Sequence, residues 1–306
     1  MSKKDSKKNN KSNKKAGNKS GGRSRSEGKF HHSKKLGQNF LTDRGVVEDI
    51  AIGSQVDADT LVIEIGPGQG VLTEELAQYA GGLYAVELDD RLIPYLRTRF
   101  ALQDHVEIIH GDILEIDLEA LIQKGKEDFG LSKVRVVGNL PYYITTPIIM
   151  KLLESGIPFE SITIMMQKEV AERLMAEPGT KNTGAITYAV QYRCTVDKIC
   201  DADRTCFDPA PKVDSMVLRL NLRPAPPVHP ADETFFFRCI KAGFMMRRKT
   251  LLNSLTCLNA LDSSYHFDKA DVQEALESCG IEANRRAESL TMEEFEKLSN
   301  AMWRLR

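Results

Sequence analysis

Apolar and polar residues follow one another in two different rhythms from residue 36 onward. Short runs rich in valine, isoleucine and leucine are each followed by a segment with apolar residues at three- and four-residue spacing. The first rhythm is typical of strands buried on both faces, and the second of amphipathic helices. Five such runs predict strands within residues 61–70, 83–88, 106–112, 134–143 and 161–167. Strands that alternate with helices predict a doubly wound α/β sheet with parallel strands at its centre.

The pattern changes after residue 180. The segments AITYAVQYRC (185–194) and DSMVLRLNLR (214–223) are predicted to be strands that complete the sheet. PAPPVHP (224–230) has four prolines in seven residues, which predicts a stiff linker. Beyond it the spacing is helical, with Asp268 as a helix cap ahead of Gly280 and with Thr291 and Glu294 as a capping box. We therefore predict an α/β domain at 30–224 and a small all-helical domain at 225–306.

The charge is unevenly distributed. The chain has 42 basic and 43 acidic residues, but residues 1–29 hold 11 of the basic ones and only Asp5 and Glu27 of the acidic ones. The rest of the chain, with 31 basic and 41 acidic residues, is therefore acidic. Segment 1–29 has too few apolar residues to offset its ordering entropy, so we predict a disordered tail. Its charge favours a polyanion such as RNA, and a solvated extension without a role is the alternative.

Length and composition exclude several classes of protein. In 306 residues no apolar run approaches the length of a membrane span, so we expect no contact with a membrane. The lysine-rich N-terminus is not followed by an apolar segment, so we expect no secretory signal and a cytoplasmic location. The six cysteines never form a C-x-x-C pair, and His and Cys are not interleaved at ligand spacings. We expect mostly buried thiols and no metal.

Glycines and carboxylates follow the predicted strands. Gly66, Gly68 and Gly70 lie between a strand and a helix, where the missing side chains let a ligand approach the backbone. Glu87 ends the next strand, at the place of a carboxylate that accepts from both hydroxyls of a ribose. Asp112 ends the third strand and could accept from an adenine amine. NAD, a flavin and S-adenosylmethionine all suit this pattern, although the glycine spacing disfavours NAD. Helix capping by both carboxylates is the alternative.

The fourth strand ends in Asn139-Leu140-Pro141-Tyr142-Tyr143. The 6-amino group of adenine is a poor nucleophile because its lone pair is delocalised into the ring. The Asn139 side-chain oxygen and a backbone carbonyl oriented by Pro141 could accept both of its hydrogens and direct the lone pair at a methyl sulfonium. Tyr142 offers a face on which an extruded base stacks, with core packing as the alternative. Tyr143 is predicted to pack in the core.

Several motifs together resemble one family. They include LGQNFLTD (36–43), VIEIGPGQGVLTEEL, VELD (86–89), HGD (110–112), GNLPYYITTP, QKEVAERL (167–174), FDPAPKVDS (207–215) and FMMRRKTLLNSL (244–255). In this order, they resemble the small-subunit ribosomal RNA adenine dimethyltransferases of the KsgA type from about Lys34 to the C-terminus. The resemblance implies a Rossmann-like methyltransferase sheet and S-adenosylmethionine as methyl donor. It also implies that two neighbouring adenosines in the 3′-terminal hairpin loop of 16S rRNA are dimethylated during small-subunit biogenesis.

The same resemblance implies roles for individual residues. The cofactor contacts fall on Asn39, Leu41, Gly66, Glu87, Asp112 and Asn139. The target-base pocket falls on Asn139, Leu140, Pro141 and Tyr142, with Phe207 as a second aromatic wall. Pro209 and Pro211 would stiffen the loop that follows Phe207. The loop Asn182–Ala185 departs from the family's pattern, which puts a role of that loop in RNA contact in doubt.

Three other functions compete with this reading. A large-subunit rRNA adenine methyltransferase of the antibiotic-resistance type would share the fold but usually has Asn-Ile-Pro-Tyr. A non-catalytic assembly or transcription factor would not need Glu87, Asp112, Asn139 and Pro141. A dehydrogenase would need a catalytic constellation of His, Tyr or Lys that we do not find.

Clusters of positive charge in the helical part favour contact with rRNA phosphates. One cluster consists of Lys241, Arg247, Arg248 and Lys249, on or just after a helix, and the pair Arg285-Arg286 lies on a turn. A solvated helix face is the alternative. One site per chain requires no partner subunit, so we expect a monomer.

Overall fold

A seven-stranded sheet forms the centre of the part of the chain that the structure describes. The computed structural model describes residues 38–306. In chain order, the sheet consists of β2 (Thr60–Ile65), β3 (Gly82–Glu87), β4 (Val106–His110), β5 (Lys133–Asn139), β6 (Ser161–Gln167), β7 (Cys194–Ala202) and β9 (Ser215–Leu222). Their spatial order is β4-β3-β2-β5-β6-β9-β7. The five strands from β4 to β6 are parallel, and β9 is antiparallel to both of its neighbours. The predicted doubly wound sheet is confirmed.

A second, two-stranded sheet consists of β1 (Phe40–Leu41) and β8 (Phe207–Asp208). The helices of the α/β part are α1 (Arg44–Gly53), α2 (Val71–Leu76), α3 (Ile93–Arg99), α4 (Leu118–Phe129), α5 (Thr145–Glu154), α6 (Lys168–Met175) and α7 (Ala185–Arg193). Those that follow are α8 (Glu233–Met245), α9 (Leu251–Ser254), α10 (Leu258–Leu261), α11 (Lys269–Ser278) and α12 (Met292–Arg304). None of the described helices is long and apolar enough to cross a membrane. The predicted tail 1–29 lies outside the described residues.

Helices cover both faces of the central sheet. On one face, Ile63 and Val136 belong to a buried cluster that includes Ile122 of α4 and Ile149 of α5. On the opposite face, the last turn of α1 contacts the sheet. The guanidinium of Arg219 on β9 donates to the carbonyl of Gly53, the last residue of α1, at 2.8 Å. Because successive residues of a strand point to opposite faces, a strand between two helix layers must be apolar throughout. This explains the continuous apolar runs.

The segment 185–194 was predicted to be a strand, and this prediction is wrong. Residues Ala185–Arg193 form α7, and the strand begins only at Cys194. Tyr188 and Tyr192, four residues apart, lie on one face of α7 and pack in the buried cluster of the C-terminal helices, where Tyr192 contacts Phe236. This packing overrides the strand propensity of an aromatic and β-branched segment. β7 lies at the edge of the sheet and is mostly exposed or half-buried, so it has no continuous apolar run that would reveal it in the sequence.

The C-terminal part is helical, as predicted. Asp268 accepts from the amides of Ala270 and Asp271, and Thr291 and Glu294 form the predicted capping box. The loop Asn182–Ala185 is tied to this part, because the buried Thr183 hydroxyl donates to the carbonyl of Glu288 at 3.2 Å. Contact of this loop with the helical part gives it a structural role.

The proline-rich segment 224–230 packs against the C-terminal helices. Val228 is buried in the cluster of the C-terminal helices. The His229 amide donates to Glu296 at 2.7 Å and the Ala231 amide to Asn300 at 2.8 Å, both on α12. The segment is therefore packed along α12. The division at residue 224 stays a prediction, since Tyr188 and Tyr192 of α7 share the core of the helical part.

Candidate active site

The turn between β2 and α2 is built from glycines. Gly66 and Gly68 have φ angles of +71° and +58°, in the left-handed region that favours glycine. A Cβ on Gly68 would lie 2.9 Å from the ring of Phe40, and one on Gly66 would lie 3.6 Å from the Asn139 carbonyl. The missing side chain of Gly68 therefore lets Phe40 approach the turn, whereas at Gly66 a Cβ would fit and the positive φ angle is what favours glycine.

All the residues predicted from the sequence to form the site line one pocket. β2, β3, β4 and β5 are parallel neighbours, so their carboxyl ends meet at one edge of the sheet. The pocket at this edge is completed by the segment around β1 and by β8. Its lining includes Asn39, Leu41, Gly66, Glu87, Asp112, Asn139, Leu140, Pro141, Tyr142 and Phe207.

Glu87 lies at the end of β3 and is buried. Its Oε2 accepts from the amide of Gly68 at 3.0 Å and its Oε1 from the amide of Asp89 at 2.8 Å. Burial raises the pKa of Glu87, and these two amides oppose the rise. Each carboxylate oxygen can accept more than one hydrogen bond. Glu87 is thus oriented by the backbone and still able to accept from a diol.

Sequence reasoning did not single out Asp89, which holds the segment 38–41 in place. Its Oδ2 accepts from the side-chain amide of Gln38 at 2.7 Å, and Arg91 forms an ion pair with the same carboxylate. The hydrogen bond from Arg91 lowers the pKa of Asp89 to about 2. Because Gln38 precedes Asn39, this contact ties the predicted cofactor segment to the loop after Glu87.

Asp112 lies in the loop after β4 and accepts from the Leu114 amide at 2.8 Å through Oδ1. Sequence reasoning also missed Lys151 of α5, whose ammonium donates to the carbonyls of Leu114 and Ile116, both at 2.8 Å. Lys151 therefore holds the loop that carries Asp112. No local pattern could reveal a contact between residues more than thirty positions apart.

The part of the pocket that the sequence predicts to hold the target base is a tight turn after β5. The Pro141 carbonyl accepts from the Ile144 amide and from the Thr145 hydroxyl, each at 3.1 Å. The Pro141 carbonyl is therefore engaged within the turn. Asn139 and the turn that follows it lie at the end of a buried strand.

Two aromatic rings line this half of the pocket. Tyr142 is half-buried, and its hydroxyl shares a hydrogen bond of 2.8 Å with Ser215 on β9. Burial raises the pKa of Tyr142. Phe207 is buried on β8, where it pairs with Leu41 of β1. Both rings are thus fixed by neighbouring strands.

The prediction that Tyr143 packs in the core is wrong. Its side chain is 61% exposed, and it lies at the pocket rather than in the core. The strand has already ended at Asn139, so the alternation of a strand no longer determines where side chains point. In the turn, Tyr142 is directed inward and the next residue outward.

Glu64 is a buried carboxylate in the same pocket that sequence reasoning overlooked. It is only 1% exposed, and neither of its oxygens has a hydrogen-bond partner among residues 38–306. Burial and, to a lesser extent, the charge of Glu87 raise the pKa of Glu64 to about 8. A single acidic residue inside the apolar run LVIEI was the available signal.

The basic residues of the helical part differ in their contacts. Lys241, Arg247, Arg248 and Lys249 are exposed, and none forms an ion pair with a described residue. Arg285, in contrast, pairs with Glu294 of α12, with Nη2 2.9 Å from Oε2. Arg285 is therefore engaged within the fold, and the cluster around Arg247 is the better candidate for phosphate contact.

The burial of the cysteines agrees with the prediction only in part. Cys194 and Cys239 are buried, and the four others are half-buried, so the expectation of mostly buried thiols holds for two of them. Among residues 38–306 no group of three or more His, Cys, Asp or Glu side chains is arranged to hold a metal.

Comparison with known proteins adds a second line of argument. The profile of the family described as "Ribosomal RNA adenine dimethylase" matches residues 29–302 of the chain. The chain belongs to this family. The match covers the whole pocket and the helical part, so the residues discussed above all lie within the family's common region.

Curated relatives and solved structures extend this comparison. The ribosomal RNA small subunit methyltransferase A of Geobacillus thermodenitrificans is 48% identical over 89% of this chain and 92% of that protein. The protein of the same name from Clostridium acetobutylicum is 45% identical over 90% of this chain and 95% of that protein.

Two crystal structures are also similar. A dimethyladenosine transferase from Plasmodium falciparum has a TM-score of 0.68 and 25% identity, over 85% of this chain and 95% of that one. The 23S rRNA methyltransferase ErmE has a TM-score of 0.64 and 26% identity, over 86% of this chain and 99% of that one. Both confirm the methyltransferase fold.

The burial of Glu64 predicts a pH-dependent stability. The folded protein holds a proton on Glu64 up to about pH 8, whereas an unfolded glutamate has lost it above about pH 4.5. Stability contributed by this group is therefore present at low pH and lost as the pH rises through that window. Glu64→Gln removes the ionisation, so its melting temperature should exceed that of the wild type by an amount that grows to several degrees between about pH 4.5 and 8 and then levels off.

Thermal unfolding followed by circular dichroism at several pH values measures this difference. Glu172→Gln, on the exposed side of α6, is the matched control and should give a difference that does not change with pH. A pH-independent difference for Glu64→Gln would contradict the burial of an unpartnered carboxyl.

Proposed function

We propose that this protein transfers methyl groups from S-adenosylmethionine to the 6-amino groups of two adjacent adenosines in the 3′-terminal hairpin loop of 16S rRNA, during small-subunit biogenesis. One observation carries the proposal. A single pocket joins the two oriented carboxylates Glu87 and Asp112 to the turn of Asn139 and Pro141. A nucleoside-bearing methyl donor and a target amine can therefore meet in it. The protein would act as a monomer in the cytoplasm.

The donor half of the pocket suits S-adenosylmethionine. When bound, this cofactor supplies a methyl group on a positively charged sulfonium. Glu87 would accept from the ribose hydroxyls and Asp112 from the adenine amine, while the Gly66 turn leaves room for the backbone to approach. Asn39 and Leu41, in the segment 38–41, would close the pocket over the donor. Asn139 would contact both the donor and the target base. The carboxylates also attract a cation, because their field is only weakly screened in a partly buried site.

The acceptor half suits an adenine that has been rotated out of its stack. Asn139 Oδ1 and the Leu140 carbonyl would accept the two hydrogens of the amine, which directs the nitrogen lone pair at the methyl group. Pro141 and the hydrogen bonds within its turn keep these acceptors in place. Tyr142 and Phe207 would stack on the base. The acceleration would come from orientation and electrostatics rather than from a strong base.

The relatives favour the small subunit over the large one as substrate. The small-subunit methyltransferases are 48% and 45% identical to this chain, whereas the 23S rRNA enzyme ErmE is 26% identical. The chain also has Asn-Leu-Pro-Tyr-Tyr where the large-subunit enzymes usually have Asn-Ile-Pro-Tyr. These differences support 16S rRNA, in the small subunit or its precursor, as the partner.

Replacing Asn139 by alanine tests the mechanism. The variant loses the side-chain acceptor for the target amine, so methyl transfer to immature small subunits should fall by about 100-fold or more, the range found when one oriented transition-state donor is removed. Incubation with labelled donor and mapping of the modified bases measures this. Asn284→Ala, an exposed asparagine outside the pocket, is the control. Activity of Asn139→Ala within a few-fold of the wild type would refute the mechanism.

Replacing Glu87 by alanine tests the cofactor assignment. A ribose diol would lose a charge-assisted acceptor worth about 1.5–3 kcal/mol, so the Kd for S-adenosylmethionine should rise by about 10- to 150-fold. Binding of small subunits should change little. Isothermal titration calorimetry measures the donor affinity, with Glu119→Ala, an exposed glutamate of α4, as the control. Unchanged donor affinity at unchanged melting temperature would reject the assignment.

Removing the charges of Arg247, Arg248 and Lys249 tests the contact with rRNA. The triple alanine variant should bind small subunits more weakly, and the slope of log K against log salt should fall by about 0.7–0.9 for each phosphate that the variant no longer neutralises. Its melting temperature should stay close to that of the wild type, because these side chains form no ion pair with a described residue.

A salt titration of binding measures this effect. Arg285→Ala provides the contrast, because it breaks the ion pair with Glu294 and should lower the melting temperature without flattening the slope. Parallel slopes for the triple variant and the wild type would exclude the cluster as a phosphate-binding surface.

A further inference from the structure

Tyr143 is the most exposed aromatic side chain among residues 38–306. It is 61% exposed, compared with 43% for Tyr79 and 39% for Tyr95. Unlike those two residues, Tyr143 lines the pocket. The ring of Tyr143 extends the aromatic lining formed by Tyr142 and Phe207 from the pocket to the solvent, so it is not an isolated surface residue.

The exposure of Tyr143 does not come from a loose loop. The Ile144 amide and the Thr145 hydroxyl both donate to the Pro141 carbonyl at 3.1 Å, and α5 starts at Thr145. On the other side, the hydroxyl of Tyr142 is bonded to Ser215. Tyr143 thus follows a fixed residue and precedes a helix. Its ring makes no hydrogen bond and no ring contact with any described residue.

The neighbouring loop has the composition of a single-strand binding surface. Residues 209–214 connect β8 to β9, and Ser215 joins this loop to the turn of Tyr142. The loop carries Val213, which is exposed, and Lys212, which is exposed and forms no ion pair with a described residue. An aromatic ring, an apolar side chain and a free cation together suit unpaired nucleotides, whose bases stack and whose phosphates are negative.

The position of Tyr143 decides which nucleotide it can meet. If one adenine lies between Tyr142 and Phe207 inside the pocket, the chain on either side of it must leave through the mouth. The base next to the target is covalently tied to it and therefore lies at the mouth, where the exposed ring is. Stacking there requires an unpaired neighbour, as a hairpin loop provides.

We propose that Tyr143 stacks on the unpaired base adjacent to the adenosine in the pocket and thereby selects RNA in which the target has such a neighbour. The inference rests on the proposed function and adds a substrate-contact residue to it. Tyr143 would not contact the donor, because it lies in the turn after β5, whereas Glu87 lies at the end of β3 and Asp112 in the loop after β4. Its contribution would be to the binding of RNA rather than to the transfer step.

Steady-state methylation of immature small subunits by Tyr143→Ala tests the proposal. Loss of one stacked base should raise the KM for the subunits by about 5- to 150-fold, the equivalent of about 1–3 kcal/mol. The Kd for S-adenosylmethionine and the melting temperature should stay as in the wild type, since the ring is exposed and outside the donor half. Tyr143→Phe keeps the ring and should restore the KM.

Tyr79→Ala is the matched control, an exposed tyrosine that does not line the pocket. A KM of Tyr143→Ala equal to that of Tyr79→Ala would overturn the stacking role, and so would failure of Tyr143→Phe to restore the KM. A wild-type protein that transfers no methyl group to adenosine would instead overturn the proposed function, and with it this inference.

Discussion

The parallel register of β3, β2 and β5 is the constraint on which the site depends. Ile65 pairs with Val86 on one side and with Gly138 on the other, so three strands end level with one another. A shift in register by one residue would exchange the side chains that pack on the two helix layers, because successive residues of a strand point to opposite faces. The same burial that stabilises the sheet therefore also places the glycine turn, Glu87 and Asn139 side by side.

Main-chain pairing between β1 and β8 joins the proposed donor and acceptor halves of the pocket. Leu41, a proposed donor contact, pairs with Phe207, a proposed base contact. The Thr42 amide adds a hydrogen bond to the Cys206 carbonyl at 2.8 Å. Gln38 and Asp89 hold the start of this segment to the loop after β3. A short ribbon therefore closes the pocket from a part of the chain that is distant in sequence from the strands beneath it.

Sequence patterns predicted the parts of the structure whose cause is local. Buried strands are apolar throughout, and the residues that follow them are glycine, carboxylate or amide, so both the sheet and the pocket could be derived. Long-range packing explains the errors: α7 is a helix because Tyr188 and Tyr192 pack on the C-terminal helices. Tyr143 was misplaced because the chain turns after Asn139, and Lys151 acts through carbonyls that no side-chain pattern reports.

Helix α5 connects the two halves of the pocket mechanically. It begins at Thr145, directly after the turn of Asn139 and Pro141, and six residues later its Lys151 holds the loop that carries Asp112. If binding in one half of the pocket displaced the axis of α5, the residues at both of its ends would move with it. Thermodynamic linkage makes this coupling mutual: the factor by which a bound donor alters the affinity for the target base equals the factor by which the base alters the affinity for the donor.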